Sequence, residues 1–152
     1  MCIYRDVNES PVRLPNLPCM CASIRRASRT LTQIYDQALR PLGLRATQFT
    51  VLQALSIAGE VLQGDLGQML AMDSTTLTRT LEILSRHGWI DKRTGEDLRE
   101  RRIRLSKAGQ LQFEKAVPLW EKAQASLRRK LGEGQWNALL KFTNEITNLI
   151  KE

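Results

Sequence analysis

The most informative run in the sequence is Asp73-Ser74-Thr75-Thr76-Leu77-Thr78-Arg79-Thr80-Leu81. Asp73 or Ser74 can cap a helix here, because each offers a side-chain oxygen to the free amides of a first helical turn. Leu77, Leu81 and Leu84 recur at i, i+4 and i+7, so they share one face of that helix and must face a core.

The opposite face of this helix carries hydroxyl and guanidinium groups. At about 100° per residue, Thr75, Arg79, Glu82 and Arg86 project away from the leucines. Short hydroxyl side chains beside arginines are expected where a helix lies against base edges in a major groove of DNA. The pattern therefore predicts a recognition helix whose candidate DNA contacts are Ser74, Thr75, Thr76, Thr78, Arg79 and Arg86.

The flanking segments predict a winged helix-turn-helix. A short helical pattern, residues 64–70, comes first and breaks at Ala71-Met72. After Gly88 come a strand candidate at 89–93, a turn at 94–97 and a second strand at 102–105 that alternates apolar with charged residues. Val61-Leu62 offers a third, minimal strand. The fold class is therefore mainly α with a small β-wing.

The predicted hairpin is strongly basic. Residues 92–107 contain seven basic and three acidic side chains, which supply +4 of the chain's net charge of +7. Clustered positive charge favours a polyanionic partner, although a surface basic only for solubility is the plain alternative. We expect Arg99 to enter a minor groove and Asp97 to hold Arg99 by a charge-assisted bond. The expected phosphate contacts are Lys92, Arg101, Arg102 and Arg104.

Two motifs resemble the multiple-antibiotic-resistance regulator (MarR) family of bacterial transcription factors. The run Asp97-Leu98-Arg99-Glu100-Arg101-Arg102-Ile103-Arg104-Leu105-Ser106 fits that family's wing pattern, D-x-R-x-x-x-[IV]-x-L-[ST]. The run at 73–79 is similar to the family's recognition helix, and the resemblance covers residues 19–150. It implies a triangular homodimer that binds double-stranded DNA at a pseudo-palindromic operator.

Long amphipathic helices are predicted outside the winged core. The first carries an apolar stripe, Pro41-Leu42-Gly43 ends it, and Thr47 is expected to cap a second helix at 48–57. Ser106 should cap a long helix that Pro118 kinks and Gly132 closes. The stripe of the first helix comprises Cys21, Ile24, Ala27, Ser28, Leu31, Ile34, Tyr35 and Ala38. That of the last helix comprises Trp136, Leu139, Leu140, Thr143, Ile146 and Ile150.

These stripes predict a two-fold dimer, because one protomer can hardly cover so much apolar surface. We divide the chain into an irregular N-terminal arm (1–18) and a single domain (19–152). Within that domain, residues 46–106 form the DNA-binding core. Residues 19–45 and 107–152 supply the dimerisation helices.

Composition excludes several other classes. The 152 residues are 42% hydrophobic and 26% charged, which is typical of a globular chain. No apolar run approaches the roughly 20 residues of a membrane span, and no signal-peptide core precedes Pro18, so we expect a cytoplasmic protein without a membrane partner. One histidine, His87, supports neither a zinc site nor a catalytic set. We expect no enzyme, no metal and no cofactor.

The N-terminal cysteines raise a redox hypothesis. Cys19 and Cys21 follow Pro18 in the first turns of a predicted helix, where free amides and the helix dipole favour a thiolate. The segment 21–29 resembles the first helix of organic hydroperoxide sensors. That resemblance implies a peroxide-reactive Cys21 with Tyr35 as a hydrogen-bond partner, while Arg25 replaces a second tyrosine. The plain alternative is a packed cysteine acting as a small hydrophobe.

The sequence therefore predicts a dimeric, sequence-specific transcriptional repressor. Its effector is expected to be either a hydroperoxide or a small aromatic anion bound between the dimer helices and the winged core. Two readings from other classes remain open at this point. One is a winged helix that binds a protein, and the other is a peroxide-reacting thiol protein that uses Cys21.

Overall fold

The computed structural model describes residues 18–97 and 99–149. Helices dominate it, and one antiparallel sheet has the strand order β1-β3-β2. The elements in chain order are α1 (Met20–Leu39), a 3₁₀ turn (Arg40–Leu42), α2 (Ala46–Ala58), β1 (Val61–Leu62), α3 (Gln63–Met69), α4 (Ser74–Arg86), β2 (Ile90–Thr94), β3 (Arg101–Leu105), α5 (Lys107–Leu131) and α6 (Glu133–Asn148). The mainly helical fold with a small wing is thereby confirmed.

The winged core is built around leucines. Leu77, Leu81 and Leu84 of α4 are almost completely buried, as their spacing predicts. They pack with Leu52 and Leu55 of α2, and each such burial contributes about 1.5–3 kcal/mol relative to an exposed side chain. The recognition-helix residues on the opposite face of α4 are consequently turned outward.

The three-stranded sheet forms as predicted, with small shifts at the strand ends. β1 pairs with β3 through Val61 opposite Ile103, which confirms the minimal third strand. β2 pairs with β3 from Ile90 opposite Leu105 to Thr94 opposite Arg101. The connection between β2 and β3 closes this hairpin, and we call β2, β3 and this loop the wing.

The first turn of α2 differs from the prediction. Arg45, not Thr47, is the N-cap residue, so the expected Thr47 cap is wrong. The carboxylate of Asp36 in α1 accepts a hydrogen bond from the Ala46 amide at 2.7 Å instead. A capping group from another helix, ten residues upstream, has no signature in a local sequence window.

Ser106 and Gly132 bound α5 as predicted. The Ser106 hydroxyl accepts a hydrogen bond from the Gly109 amide at 3.0 Å, and Gly132 ends the helix at φ 80°. The helix runs through Pro118 as one element. Aromatic rings join it to the core, because Phe49 of α2 lies 5.5 Å from Phe113 and 5.7 Å from Trp120 between ring centroids.

The apolar stripes of the terminal helices remain largely uncovered in the protomer. Ile24 and Leu31 of α1 are 37% and 40% exposed, and Leu139 and Leu140 of α6 are 49% and 51% exposed. An apolar face of this kind marks an interaction surface. Residues 1–17 of the proposed arm (1–18), which include Cys2, and the stripe residue Ile150 lie outside the described residues.

Candidate nucleic-acid interface

Asp73 fixes the start of α4, which we call the recognition helix. Its carboxylate accepts hydrogen bonds from the Thr76 amide at 2.9 Å and the Thr76 hydroxyl at 2.6 Å. The bond from the Thr76 hydroxyl, followed by that from its amide, lowers the pKa of the Asp73 carboxyl. Asp73 is therefore the cap, and the Thr76 hydroxyl, already donating to Asp73, can face a base edge only as an acceptor.

The predicted contact residues of the recognition helix lie at its surface. All six candidate side chains are exposed: Ser74, Thr75, Thr76, Thr78, Arg79 and Arg86. Thr80, which the sequence did not place, is buried and donates its hydroxyl to the Thr76 carbonyl at 2.9 Å. The helix therefore presents a hydroxyl-rich surface with two arginines and buries its apolar side.

The turn between α3 and α4 is tight. Ala71 adopts φ 49°, and the Met72 amide donates to the Gly67 carbonyl at 2.9 Å. A side chain at Gly67 would meet Leu77 at 3.4 Å, so the glycine lets α3 approach the recognition helix closely. Gln63 at the start of α3 donates to the Thr78 hydroxyl at 3.4 Å. Sequence reasoning missed this contact, which joins residues fifteen positions apart.

The wing loop is held by Asp97. Its carboxylate accepts a hydrogen bond from the Arg99 amide at 2.9 Å, and its carbonyl accepts one from the Glu100 amide at 2.9 Å. The predicted bond to Arg99 thus reaches the backbone of that residue. Because the backbone is held at this point, the exposed Arg99 side chain projects from a fixed position.

Gly95 completes the loop. Its amide donates to the Glu100 carbonyl at 2.9 Å. A Cβ at this position would come within 2.7 Å of the Glu100 Cβ. The loop can therefore close over Glu100 only when residue 95 has no side chain.

The basic side chains of the wing differ in how available they are. Lys92 and Arg101 are exposed, whereas Arg104 forms an ion pair with Asp91 at 3.2 Å and Arg102 lies 3.9 Å from Glu100. Lys92 and Arg101 are accordingly the better placed of the expected phosphate contacts. Arg104 already has a carboxylate partner at the base of the wing.

Arg93 is a further basic residue of the wing, which the sequence analysis did not include among the expected phosphate contacts. It is exposed on β2 and lies directly opposite Arg102 on β3. Like charges directly across two strands are destabilising by themselves, and a phosphate between them would relieve the repulsion. Its place in the predicted strand was visible in the sequence, but its cross-strand partner was not.

The recognition helix and the wing border one groove of 480 Å³. Ser74 and Leu77 line it from the helix, and Arg99 and Arg101 line it from the wing. Residues predicted separately from two motifs are therefore brought to one surface. The lining also includes the acidic Asp65 and Glu100, so the two arginines are the groups in it that suit a nucleic-acid backbone, and the Ser74 hydroxyl suits a base edge beside it.

The redox candidates are arranged differently from the expectation. Cys19 and Cys21 are free, exposed thiols at the N-cap and in the first turn of α1. Tyr35 donates its hydroxyl to the Gln124 side chain of α5. Fourteen residues of helix rise about 21 Å, so Tyr35 and Cys21 of one protomer are too far apart for a hydrogen bond. Only a Tyr35 of another protomer can reach that thiol.

The one histidine of the chain contacts an aromatic ring. The His87 ring stacks on Trp89 with centroids 4.3 Å apart, at the C-terminal end of the recognition helix. Within residues 18–97 and 99–149, no cluster of three histidine, cysteine or acidic side chains is arranged to hold a metal ion. In the same residues, none of the helices combines the length and apolar character that crossing a membrane requires.

The fold and this surface define a winged helix-turn-helix transcriptional regulator. The profile described as "MarR family" matches residues 42–100. The DNA-bound structure of the M. tuberculosis regulator MosR is 36% identical and superposes with a TM-score of 0.79, over 88% of this chain and 96% of that one. The chain belongs to the MarR family.

Two relatives from Bacillus subtilis support the same family. The organic hydroperoxide resistance transcriptional regulator is 33% identical over 101 residues, which cover 66% of this chain and 69% of that protein. The HTH-type regulator YwoH is 32% identical over 91 residues, which cover 60% of this chain. The aligned region spans 66% of YwoH, just under two thirds of its length.

Proposed function

We propose that this protein is a homodimeric, sequence-specific DNA-binding repressor that acts in the cytoplasm, where bacterial DNA lies. The observation that carries the proposal is the shared groove between the recognition helix and the wing. Arg99 and Arg101 border it on one side and Ser74 on the other. The DNA complex of MosR, 36% identical to this chain, supports the same use of the fold.

Each half of the interface has its own task in this proposal. Thr75, Thr76, Thr78 and Arg79 read base edges in the major groove, since short polar chains and arginine are suited to that pattern. Arg99 enters the neighbouring minor groove, where the negative potential attracts a guanidinium. Lys92, Arg93 and Arg101 contact phosphates, and these contacts set orientation and affinity without reading the sequence.

A dimer would provide the complete surface for operator binding. The exposed apolar faces of α1 and α6 supply the surface that a second copy would cover. In a two-fold dimer the recognition helices would enter successive major grooves, about 34–36 Å apart. The preferred operator is then pseudo-palindromic. Nothing in this scheme requires catalysis, so we propose that the protein is not an enzyme.

Binding-site selection from random DNA, followed by titration of two variants, tests this function. Arg79→Ala should lower the preference for the selected operator over random DNA. Arg101→Ala should weaken binding to both DNAs alike and reduce the salt slope by about one unit. Recovery of no operator, together with retention of a protein partner, would favour a protein-interaction module instead.

A thiol switch is the second candidate, and the exposure of Cys21 favours it. A hydroperoxide would oxidise the Cys21 thiolate to a sulfenic acid and leave as the alcohol. A polar group would then stand in the stripe that α1 brings to the dimer, and the two DNA-binding cores would shift. The relative that regulates organic hydroperoxide resistance supports this route, while a bound aromatic anion is the rival effector.

Cumene hydroperoxide distinguishes the two effectors. Wild-type protein and Cys19→Ser should release operator DNA at a low molar excess, whereas Cys21→Ser should remain bound. Mass spectrometry of the treated protein locates the added oxygen. Release of Cys21→Ser at the same dose would leave Cys21 as a packing residue. Catalytic turnover of peroxide with a reductant would instead indicate a peroxide-reacting enzyme.

A further inference from the structure

The junction between α1 and α2 is held by one carboxylate. Asp36, near the end of α1, accepts a hydrogen bond from the Ala46 amide at 2.7 Å with Oδ1. Its Oδ2 accepts one from Arg45 Nη1 at 3.0 Å. The side chain of Asp36 is 22% exposed and that of Arg45 is 72% exposed, so the carboxylate is the inner member of the pair.

The start of α2 requires an acceptor from elsewhere. Arg45 stands at the N-cap, and its side chain has donors but no acceptor for the orphan amides of the first turn. Gln48 reaches back to the Arg45 amide at 3.0 Å. Asp36 supplies the acceptor for the Ala46 amide, and its negative charge lies at the positive end of the α2 dipole.

Two more polar contacts fix the same end of α1. Tyr35, the neighbour of Asp36, donates to Gln124 of α5. Gln112 of α5 donates to the Leu42 carbonyl in the 3₁₀ turn at 2.9 Å. The last turns of α1 are therefore attached to α2 on one side and to α5 on the other. Of these three hydrogen bonds, the one between Asp36 and the Ala46 amide joins α1 directly to α2 of the winged core.

We propose that Asp36 is a positioning residue for operator recognition and sets the distance between the two recognition helices of a dimer. The inference rests on the proposed function, in which α1 belongs to the dimer interface. α2 carries the buried Leu52 and Leu55 against which the recognition helix packs. Any change of the angle between α1 and α2 moves the recognition helix, and two-fold symmetry doubles that change between protomers.

The consequence is a spacing preference that does not involve contact between Asp36 and DNA. A rigid junction admits one separation of half-sites, and a loosened junction admits several. Loss of the Asp36 bonds should therefore reduce discrimination between operators that differ only in the spacer between half-sites. Affinity for random DNA, which depends on the exposed basic groups, should remain unchanged.

The test uses the operator selected by the full-length wild-type protein and versions with one or two base pairs added to or removed from its centre. The preference of Asp36→Ala for the selected spacing should fall by about fivefold or more. Asp36→Asn keeps a neutral acceptor for the Ala46 amide and should lose less. Arg45→Gln removes the ion pair but leaves that hydrogen bond, so its preference should stay close to that of wild type.

A purely structural role would lower the melting temperature and leave the spacing preference unchanged. The titrations are therefore made well below the melting temperature of each variant, with Glu121→Gln on α5 as a control for lost charge. If Asp36→Ala does not fold, Asp36→Ser, which removes the carboxylate and shortens the side chain, carries the comparison. An unchanged spacing preference in the folded variant overturns the inference and leaves the proposed function standing. Failure of wild type to select any operator overturns the proposed function and this inference together.

Discussion

The Ser106 hydroxyl donates a hydrogen bond to the Gly88 carbonyl at 2.6 Å. The same oxygen accepts one from the Gly109 amide at 3.0 Å. One side chain therefore joins the residue that follows the recognition helix to the first turn of α5. The sequence predicts Ser106 only as a helix cap, but this residue also holds the chain that follows the C-terminal end of the recognition helix.

Ser106→Ala should reduce the free energy of unfolding by about 1–2 kcal/mol, because it removes the cap and leaves the Gly88 carbonyl without this donor. Urea denaturation at fixed protomer concentration measures the loss. Ser85→Ala, an exposed serine within the recognition helix, is the matched control and should change stability little. Equal effects of the two substitutions would argue against the double role of Ser106.

Gly109→Ala should destabilise the fold by about 1–3 kcal/mol or more. A Cβ at this position would lie 1.8 Å from the Trp89 carbonyl oxygen, so the backbone must move. Gly134→Ala in α6 is the control, since nothing lies within 4 Å of its Cβ. That change should raise the free energy of unfolding by about 0.4–1 kcal/mol, because alanine reduces the conformational entropy of the unfolded chain. Thermal melts that fail to separate the two variants would contradict the close packing of α5 on Trp89.

Stability should fall in alkaline solution through Tyr35. Burial raises the pKa of its phenol above the ordinary value of about 10. As pH rises, the phenol of the unfolded chain loses its proton before that of the folded protein. The contribution of Tyr35 to the free energy of unfolding is therefore complete below the ordinary pKa and is lost as pH rises through the raised pKa of the folded state. Urea midpoints measured across that range should fall less for Tyr35→Phe than for wild type.

The titration of Tyr35 can be followed directly once Tyr4 is replaced, because these are the two tyrosines of the chain. In Tyr4→Phe, the near-ultraviolet absorbance of tyrosinate reports Tyr35 alone. Its midpoint should lie above that of the urea-unfolded protein. Coincident midpoints would show that Tyr35 is solvated in solution.

Arg99→Ala should weaken operator binding by about 1.5–3 kcal/mol, as expected for a lost charged contact. The dimer should stay intact, because Arg99 lies in the wing, away from the apolar faces of α1 and α6. The loop should keep its shape as well, since the bond between the Arg99 amide and Asp97 remains. Titration at fixed salt concentration provides the measurement. An unchanged affinity would remove Arg99 from the DNA interface.

The control for Arg99 is the double variant Asp91→Ala with Arg104→Ala, which removes an ion pair without changing the net charge. Its operator affinity should stay close to that of wild type, because the Arg104 guanidinium is already paired at 3.2 Å. Exposed pairs of this kind contribute little to stability. A loss as large as that of Arg99→Ala would instead make Arg104 a phosphate contact.

Local patterns in the sequence determined the elements and the family. The helical spacing of Leu77, Leu81 and Leu84 fixed both the buried and the outward faces of the recognition helix. Even the two-residue strand at Val61 was visible, since it follows a helix and precedes the helix-turn-helix motif. Helical spacing depends on neighbours a few residues apart, which a sequence window contains, whereas the strand at Val61 also needs its partner Ile103 in β3.

Only the tertiary structure decided which polar groups meet over long separations. Asp36 caps α2 in place of Thr47, Tyr35 bonds Gln124 eighty-nine residues away, and Arg104 pairs with Asp91 across the sheet. Each of these groups has several candidate partners in the sequence. Packing of helices and register of strands select one partner, because a hydrogen bond forms only within about 3 Å and at a favourable angle.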